Sequence, residues 1–339
     1  MSEPVAFLNG RMIPVSEARL HVFDLGIVAG ASLTGQVRTF RHVPFRLPQH
    51  IARLQRSLRS CGREPPIDAS ELESIARQVV EQNARLIRDD QELGLVFFVT
   101  LGQNLSYLGA ENAAAARAMS VCVHTFPLSL ALWPRKLEQG QHLVMPDMRQ
   151  IPSDCLDPRI KSRNRLHWLL ADQQVRRGDP DAIALLLNHD GDITETSSAN
   201  VFVVRDGQIA TPPQGAALDG ISQSVVAELA AEAGVPFVAR RLQVHDTLNA
   251  DEVFTSSTPY CLLPATRING VAIGCAAPGP MFQRMLAGRS RLVGGAISKK
   301  TPITIQTPNA TIGIRGGIAL VNVEPNGQVD ASFLFGIGL

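Results

Sequence analysis

The side chains in this sequence that could do chemistry are few, and a lysine leads them. Of 32 basic residues only Lys136, Lys161, Lys299 and Lys300 are lysines. Lys161 stands in LDPRIKSRNRLHWLL, between Arg159 on one side and Arg163 and Arg165 on the other. Arginine stays protonated throughout the physiological range, whereas a desolvated lysine amine beside other cations sheds its proton and becomes a nucleophile or proton carrier. Further along, ITETSSANVF brings Glu195 and Asn200, LDGIS brings Gly220, Ile221 and Ser222, and DEVFTSSTP brings Thr258. Upstream, HIARL brings Arg53. Taken singly, each has an ordinary explanation: a helix-end lysine, a turn carboxylate, a helix cap, a solvated arginine. Together they supply an amine, a carboxylate, a helix start able to bind an anion, and a guanidinium.

Mixed α and β elements must position them. AFLNGRMIPV reads as two short strands about the Asn9-Gly10 turn. RLPQHIARLQRSLRSCG reads as a helix with Pro48 in its first turn, an Ile51, Leu54 and Leu58 stripe, and Gly62 as its stop. ASELESIARQVVEQNARLI predicts a second helix opened by Ser70 with Glu73 in a capping box. LGLVFFVTLG and AMSVCVHTFPL predict buried strands, and HLVMPDMRQ a further strand before a helix starting near Asn164. Hairpins follow about Asp190-Gly191 and Asp206-Gly207. Then comes the helix DGISQSVVAELAAEAG, ended by Gly234, and the strand DEVFTSST. Hairpins outnumber crossovers, which predicts an α+β fold with a mainly antiparallel sheet rather than a doubly wound parallel one. Residues 1–126 form the expected small α/β domain, 127–139 with Pro127 and Pro134 the linker, and 140–290 the larger domain.

Composition narrows the partners. With 32 Lys+Arg against 31 Asp+Glu no global field draws nucleic acid or an anionic membrane, so small molecules or other chains are the expected partners. The start lacks a basic region followed by an apolar one, and no apolar run approaches the roughly 18 residues of a membrane span, which predicts a cytoplasmic protein. Five scattered cysteines without a C-x-x-C pair or nearby histidines argue against both a disulfide framework and a metal site.

The ordered motifs R-I-K-S-x-N-R-L, I-T-E-T-S-S-A-N-V-F, L-D-G-I-S and D-E-V-F-T-S-S-T-P resemble those of the class IV, or fold-type IV, pyridoxal-phosphate-dependent aminotransferases over about residues 5–290. The 34-residue spacing from Lys161 to Glu195 is similar to that of the branched-chain amino acid branch. The resemblance implies a two-domain fold with a β-rich pseudo-barrel in the larger domain and pyridoxal 5′-phosphate as cofactor. It implies Lys161 as the Schiff-base lysine, Glu195 as the carboxylate holding the ring nitrogen protonated, and Asn200 beginning the next strand. Arg53, Gly220, Ile221, Ser222 and Thr258 become the phosphate site, with Ser222 capping its helix. The implied reaction is ping-pong transamination between an amino acid and a 2-keto acid in a homodimer, branched-chain-type first. D-amino acid transamination and aminodeoxychorismate lysis are alternatives on the same scaffold, and a lapsed cofactor-binding scaffold is an alternative of another class.

The substrate pocket departs from that pattern. Gly94 and Val96 stand where the branched-chain branch has a tyrosine and an arginine, Leu166 or Arg165 replaces its tyrosine after the lysine, and Thr34 and Gly35 replace an aromatic-glutamate pair. Arg163 and Arg165 are candidate replacement carboxylate anchors, Thr34 a pocket residue, and Tyr107 a group reaching the neighbouring subunit's pocket. The tail, residues 291–339, lies outside the family pattern; ITIQT, ATIGI, GIALVNV and ASFLFGI predict four strands, with Pro-Asn-Gly as a hairpin turn.

Overall fold

The computed structural model describes residues 3–109, 111, 118–288, 303–307, 310–323 and 329–338. The first strands bear out the reading from sequence: β1 (Val5–Leu8) and β2 (Arg11–Pro14) meet at Asn9 and Gly10, whose φ of 48° and 88° are those of a type I′ turn. With β3 (Ser32–Phe40), β4 (Val43–Pro44), β5 (Leu93–Thr100) and β6 (Val121–Pro127) they make an antiparallel sheet ordered β2-β1-β6-β5-β3-β4.

Strand alternation gives that sheet two different faces. Leu33, Val37, Leu95, Phe97 and Val123 point to one side, where the Leu47–Ser60 and Ala69–Ala84 helices bring Ile51, Leu54, Leu58, Leu72 and Val79. Each such burial contributes about 1.5–3 kcal/mol, which binds helix pair to sheet. The other face carries Thr34, Gln36, Val96 and Phe98, since Thr34 lies opposite Phe98 and Gln36 opposite Val96. The Ala69–Ala84 helix starts two residues earlier than the capping-box pattern, with Ser70 as N-cap, predicts. Asp68 precedes it without a side-chain cap, and Glu73 instead pairs with Arg77 one turn on.

The expected linker contains structure of its own: Pro127 ends β6, and short helical turns occupy Leu130–Leu132 and Pro134–Gln139. Beyond it run β7 (Gln141–Val144), β8 (Ile183–Leu187), β9 (Ile193–Thr196), β10 (Asn200–Arg205), β11 (Gln208–Thr211), β12 (Phe237–Ala239), β13 (Glu252–Ser257), β14 (Cys261–Ile268) and β15 (Val271–Ala272). Six of these close on themselves in the order β10-β13-β14-β7-β8-β9-β10, with two parallel contacts, β14 with β7 and β7 with β8. A single pair, Glu195 opposite Asn200, closes the ring. Along β10, Val201 and Val203 pack inside with Leu143, Leu185 and Val253, while Phe202 and Val204 face outward against the Ile221–Glu232 helix.

The helix predicted near Asn164 spans Leu166–Arg176, after Arg165. In the tail the structure has three strands rather than four: β16 (Ile303–Thr307), β17 (Ala310–Val323) and β18 (Val329–Gly338), paired antiparallel. Two predicted strands fuse into β17, whose register against β18 shifts between Arg315 and Ile318, at the Gly316-Gly317 pair. The Pro-Asn-Gly turn lies outside the described residues.

Candidate active site

The Lys161 segment has no regular structure of its own and takes its place from neighbours. The Thr34 N–H donates to the Lys161 carbonyl at 2.9 Å, and the Arg163 N–H donates to the Ser32 carbonyl at 2.9 Å. The Lys161 N–H donates to Ser57 Oγ at 3.2 Å. The segment therefore lies as a partner along the free edge of β3, with Leu33 and Ser162 bridged.

Its side chain enters a cavity of about 500 Å³ with Glu195, Asn200, Thr34, Gln36, Arg163, Arg165 and Thr258 on the walls. That volume falls in the range of small-molecule sites. Glu195 is buried, and the loss of water raises its pKa to about 7 despite Arg165, Lys161, a backbone hydrogen bond from Leu218, and Arg53. Desolvation lowers the Lys161 amine to about 7, helped by the positive charges of Arg53 and Arg165 and opposed by Glu195. A carboxyl and an amine that both titrate near neutrality inside one cavity suit proton exchange.

Arg53 projects from the Leu47–Ser60 helix and is buried. It donates to the Asp219 carbonyl at 3.0 Å, and its Nη2 meets His50 Nδ1 at 3.4 Å. Burial, with Arg56 nearby, lowers Arg53 to about 10, so it keeps its charge at neutral pH, while desolvation and Arg53 hold His50 well below its usual value. Two polar atoms in this region are buried without a partner among the described residues, Arg53 Nε and Ser256 Oγ. Ser256 lies across the sheet from Asn200. Two unclaimed donors, one cationic, fit a bound phosphate.

Gly220 is the N-cap of the Ile221–Glu232 helix, and its N–H donates to Gln223 Oε1 at 3.3 Å. Ser222 is thus inside the first turn and buried, not the cap that the sequence suggests. The glycine is required by a neighbour: a Cβ there would come within 2.0 Å of Asn200 Oδ1. Asn200 in turn donates through Nδ2 to the Leu218 carbonyl at 2.9 Å. The ring-closing pair thereby fixes Glu195 and, through Asn200, the start of the Ile221–Glu232 helix.

Tyr107 does not line this cavity of its own chain; it is exposed, with its ring edge-on to Phe23 at 5.5 Å. Gly35 points to the helix side of its sheet, where the Phe97 ring fills the place of a side chain, and Gln36 takes the cavity position instead. The alternation of β3 carried that signal, since Thr34 facing in places Gln36 in and Gly35 out. Ser256 and Pro259 were also missed. Arg165 donates to the Ser197 carbonyl and lies over the Trp168 ring.

A model of the class IV amino-transferase family matches residues 35–268. Over 280 residues the chain is 29% identical to a putative branched-chain-amino-acid aminotransferase of Methanocaldococcus jannaschii, covering 82% of this chain and 93% of that one. It is 32% identical over 280 residues to a D-alanine aminotransferase of Bacillus licheniformis, with coverage of 82% and 93%. Among solved structures, the branched-chain amino acid aminotransferase of T.th., with pyridoxamine 5′-phosphate, superposes with a TM-score of 0.77 at 24% identity, covering 87% of this chain and 95% of that one. The Escherichia coli branched-chain amino acid aminotransferase superposes with a TM-score of 0.76 at 25% identity, covering 86% and 94%. A match that runs from β3 to the end of β14, through Lys161, Glu195 and Asn200 in their common cavity, places this chain in the class IV aminotransferases, with the α+β architecture of fold type IV.

Proposed function

We propose that the protein binds pyridoxal 5′-phosphate in the Lys161 cavity and transfers an amino group from a branched-chain-type amino acid to a 2-keto acid. The observation that carries this is Lys161 and Glu195 on the walls of one cavity, each shifted to about 7. When bound, the cofactor supplies an electron sink that makes the Cα proton of an amino acid acidic. Lys161 is the residue placed to take up that proton and return it, because its amine is unprotonated in a large share of molecules at neutral pH. Glu195 would supply the carboxylate that keeps the cofactor's ring nitrogen protonated. Arg53, Ser256, Thr258 and the Gly220-Ile221-Ser222 helix start hold the phosphate, and the small domain of residues 1–126 and the larger one of 140–290 enclose it. A homodimer is part of the same reading. It is supported by the exposed Leu166, Leu169 and Leu170 on the Leu166–Arg176 helix, and light scattering gives its mass.

The test is the visible absorption spectrum of the purified protein loaded with pyridoxal 5′-phosphate, before and after L-leucine, L-glutamate and D-alanine in separate cuvettes. Loss of the lysine-bound cofactor band with L-leucine is the expected result. Loss with D-alanine alone moves the assignment to the D-amino acid branch, and a band that none of them changes removes transamination of these donors. A Lys161→Ala protein that still transaminates at the wild-type rate refutes the role of this lysine.

A further inference from the structure

Arg163 carries a charge with no evident internal use. It lines the cavity two residues after Lys161, and its guanidinium lies over the Phe98 ring, 4.7 Å from the centroid. Among the described residues no carboxylate pairs with it, whereas the neighbouring Arg159 is bound to Asp157 and Arg165 donates to the Ser197 carbonyl. Desolvation already acts on Arg163 and lowers its pKa, and His124, on the same face of the sheet opposite Val96, is lowered chiefly by its own burial and further by the Arg163 charge. A guanidinium laid on an aromatic ring keeps its edge donors in plane and free for a forked contact, which matches a carboxylate. β5 supplies no arginine to this face: Gly94 and Val96 stand on it, the Phe126 ring fills the space above Gly94, and Arg38 of β3, opposite Gly94, donates to the Pro259 carbonyl.

We infer that Arg163 is a specificity-determining residue that receives a carboxylate of the substrate, with Phe98 as the platform that holds the guanidinium flat. This rests on the transamination proposed above. The carboxylate comes either from the α-position, common to every amino acid, or from an acidic side chain. The shared chemistry is the same, and the two sources separate by experiment.

The experiment compares wild type, Arg163→Gln and Arg163→Lys, each loaded with pyridoxal 5′-phosphate. It follows the single-turnover reaction with L-leucine, 3-methylbutylamine, L-glutamate and L-glutamine, and binding of 4-methylpentanoate by calorimetry. Removal of one charge-assisted fork predicts a loss of about 10- to 100-fold in kcat/KM, and Lys at this position recovers part of it. If the α-carboxylate is the ligand, the loss appears with L-leucine and in 4-methylpentanoate binding but not with 3-methylbutylamine. If it is the side chain, the loss appears with L-glutamate and not with L-glutamine or L-leucine. Equal rates and affinities in wild type and both variants overturn the inference alone. A wild-type protein whose cofactor band no amine discharges overturns the transamination reading, and this inference with it.

Discussion

Lys161 offers a sharp test, because its environment sets the pH at which its amine is neutral. An ordinary lysine titrates at 10.5, and desolvation with Arg53 and Arg165 brings this one to about 7. The difference corresponds to roughly 5 kcal/mol in favour of the neutral amine. At pH 7 about half of the amines are free, against roughly one in three thousand for an unperturbed lysine. The expected result is that capture of pyridoxal 5′-phosphate by cofactor-free protein quickens about tenfold per pH unit below neutrality and levels off above about pH 7 to 8. Stopped-flow absorbance measures it, with an N-acetyl-lysine control to divide out the ionisation of the aldehyde itself. In Glu195→Gln the inflection moves to lower pH, because the carboxylate is the group that raises Lys161. A rate that keeps climbing through pH 9, as for a free lysine, refutes the reasoning.

The same pair predicts an unusual stability profile for the cofactor-free protein. Unfolded Glu195 releases its proton near 4.5 and the folded residue near 7, so the folded state binds more protons in that window and stability falls as pH rises through it. Lys161 has the opposite sign: between about 7 and 10.5 the unfolded chain binds more protons, and stability rises with pH. Urea denaturation across pH 5 to 10 therefore shows a minimum near neutrality, which Lys161→Met together with Glu195→Gln flattens. Arg53→Ala lowers affinity for pyridoxal 5′-phosphate by about 10- to 100-fold but leaves pyridoxal, which lacks the phosphate, nearly unchanged. Equal losses for the two in equilibrium dialysis remove the phosphate role. Gly220→Ala drives a methyl group into Asn200 Oδ1 and destabilises the fold by about 1–3 kcal/mol in the same denaturation assay, with weaker cofactor binding.

Local chemistry alone determined much of this protein. Asn9-Gly10 and Asp206-Gly207 made their hairpins because positive φ at both turn positions suits those residues. The Ile51, Leu54 and Leu58 stripe made its helix because periodicity places all three on one face. Lys161, Glu195, Arg53 and Asn200 were legible only together, because the order and spacing of their motifs resemble those of the class IV aminotransferases, whereas each taken singly has an ordinary explanation. Tertiary structure decided what depends on neighbours distant in the chain. Closure of the barrel through Glu195 and Asn200 is a pairing, and the fused strand β17 takes β16 as partner along Ala310–Ile314 and β18 from Ile314 onward. Gln36 rather than Gly35 entered the cavity because the register of β3 against β5 selects the face. Ser256 Oγ and Arg53 Nε stand without partners among the described residues only because the fold removes water from both. The neutral-range titration of Lys161 has the same origin, since desolvation and the charges of Arg53 and Arg165 exist only when residues 108 and 4 positions away in sequence fold onto one cavity.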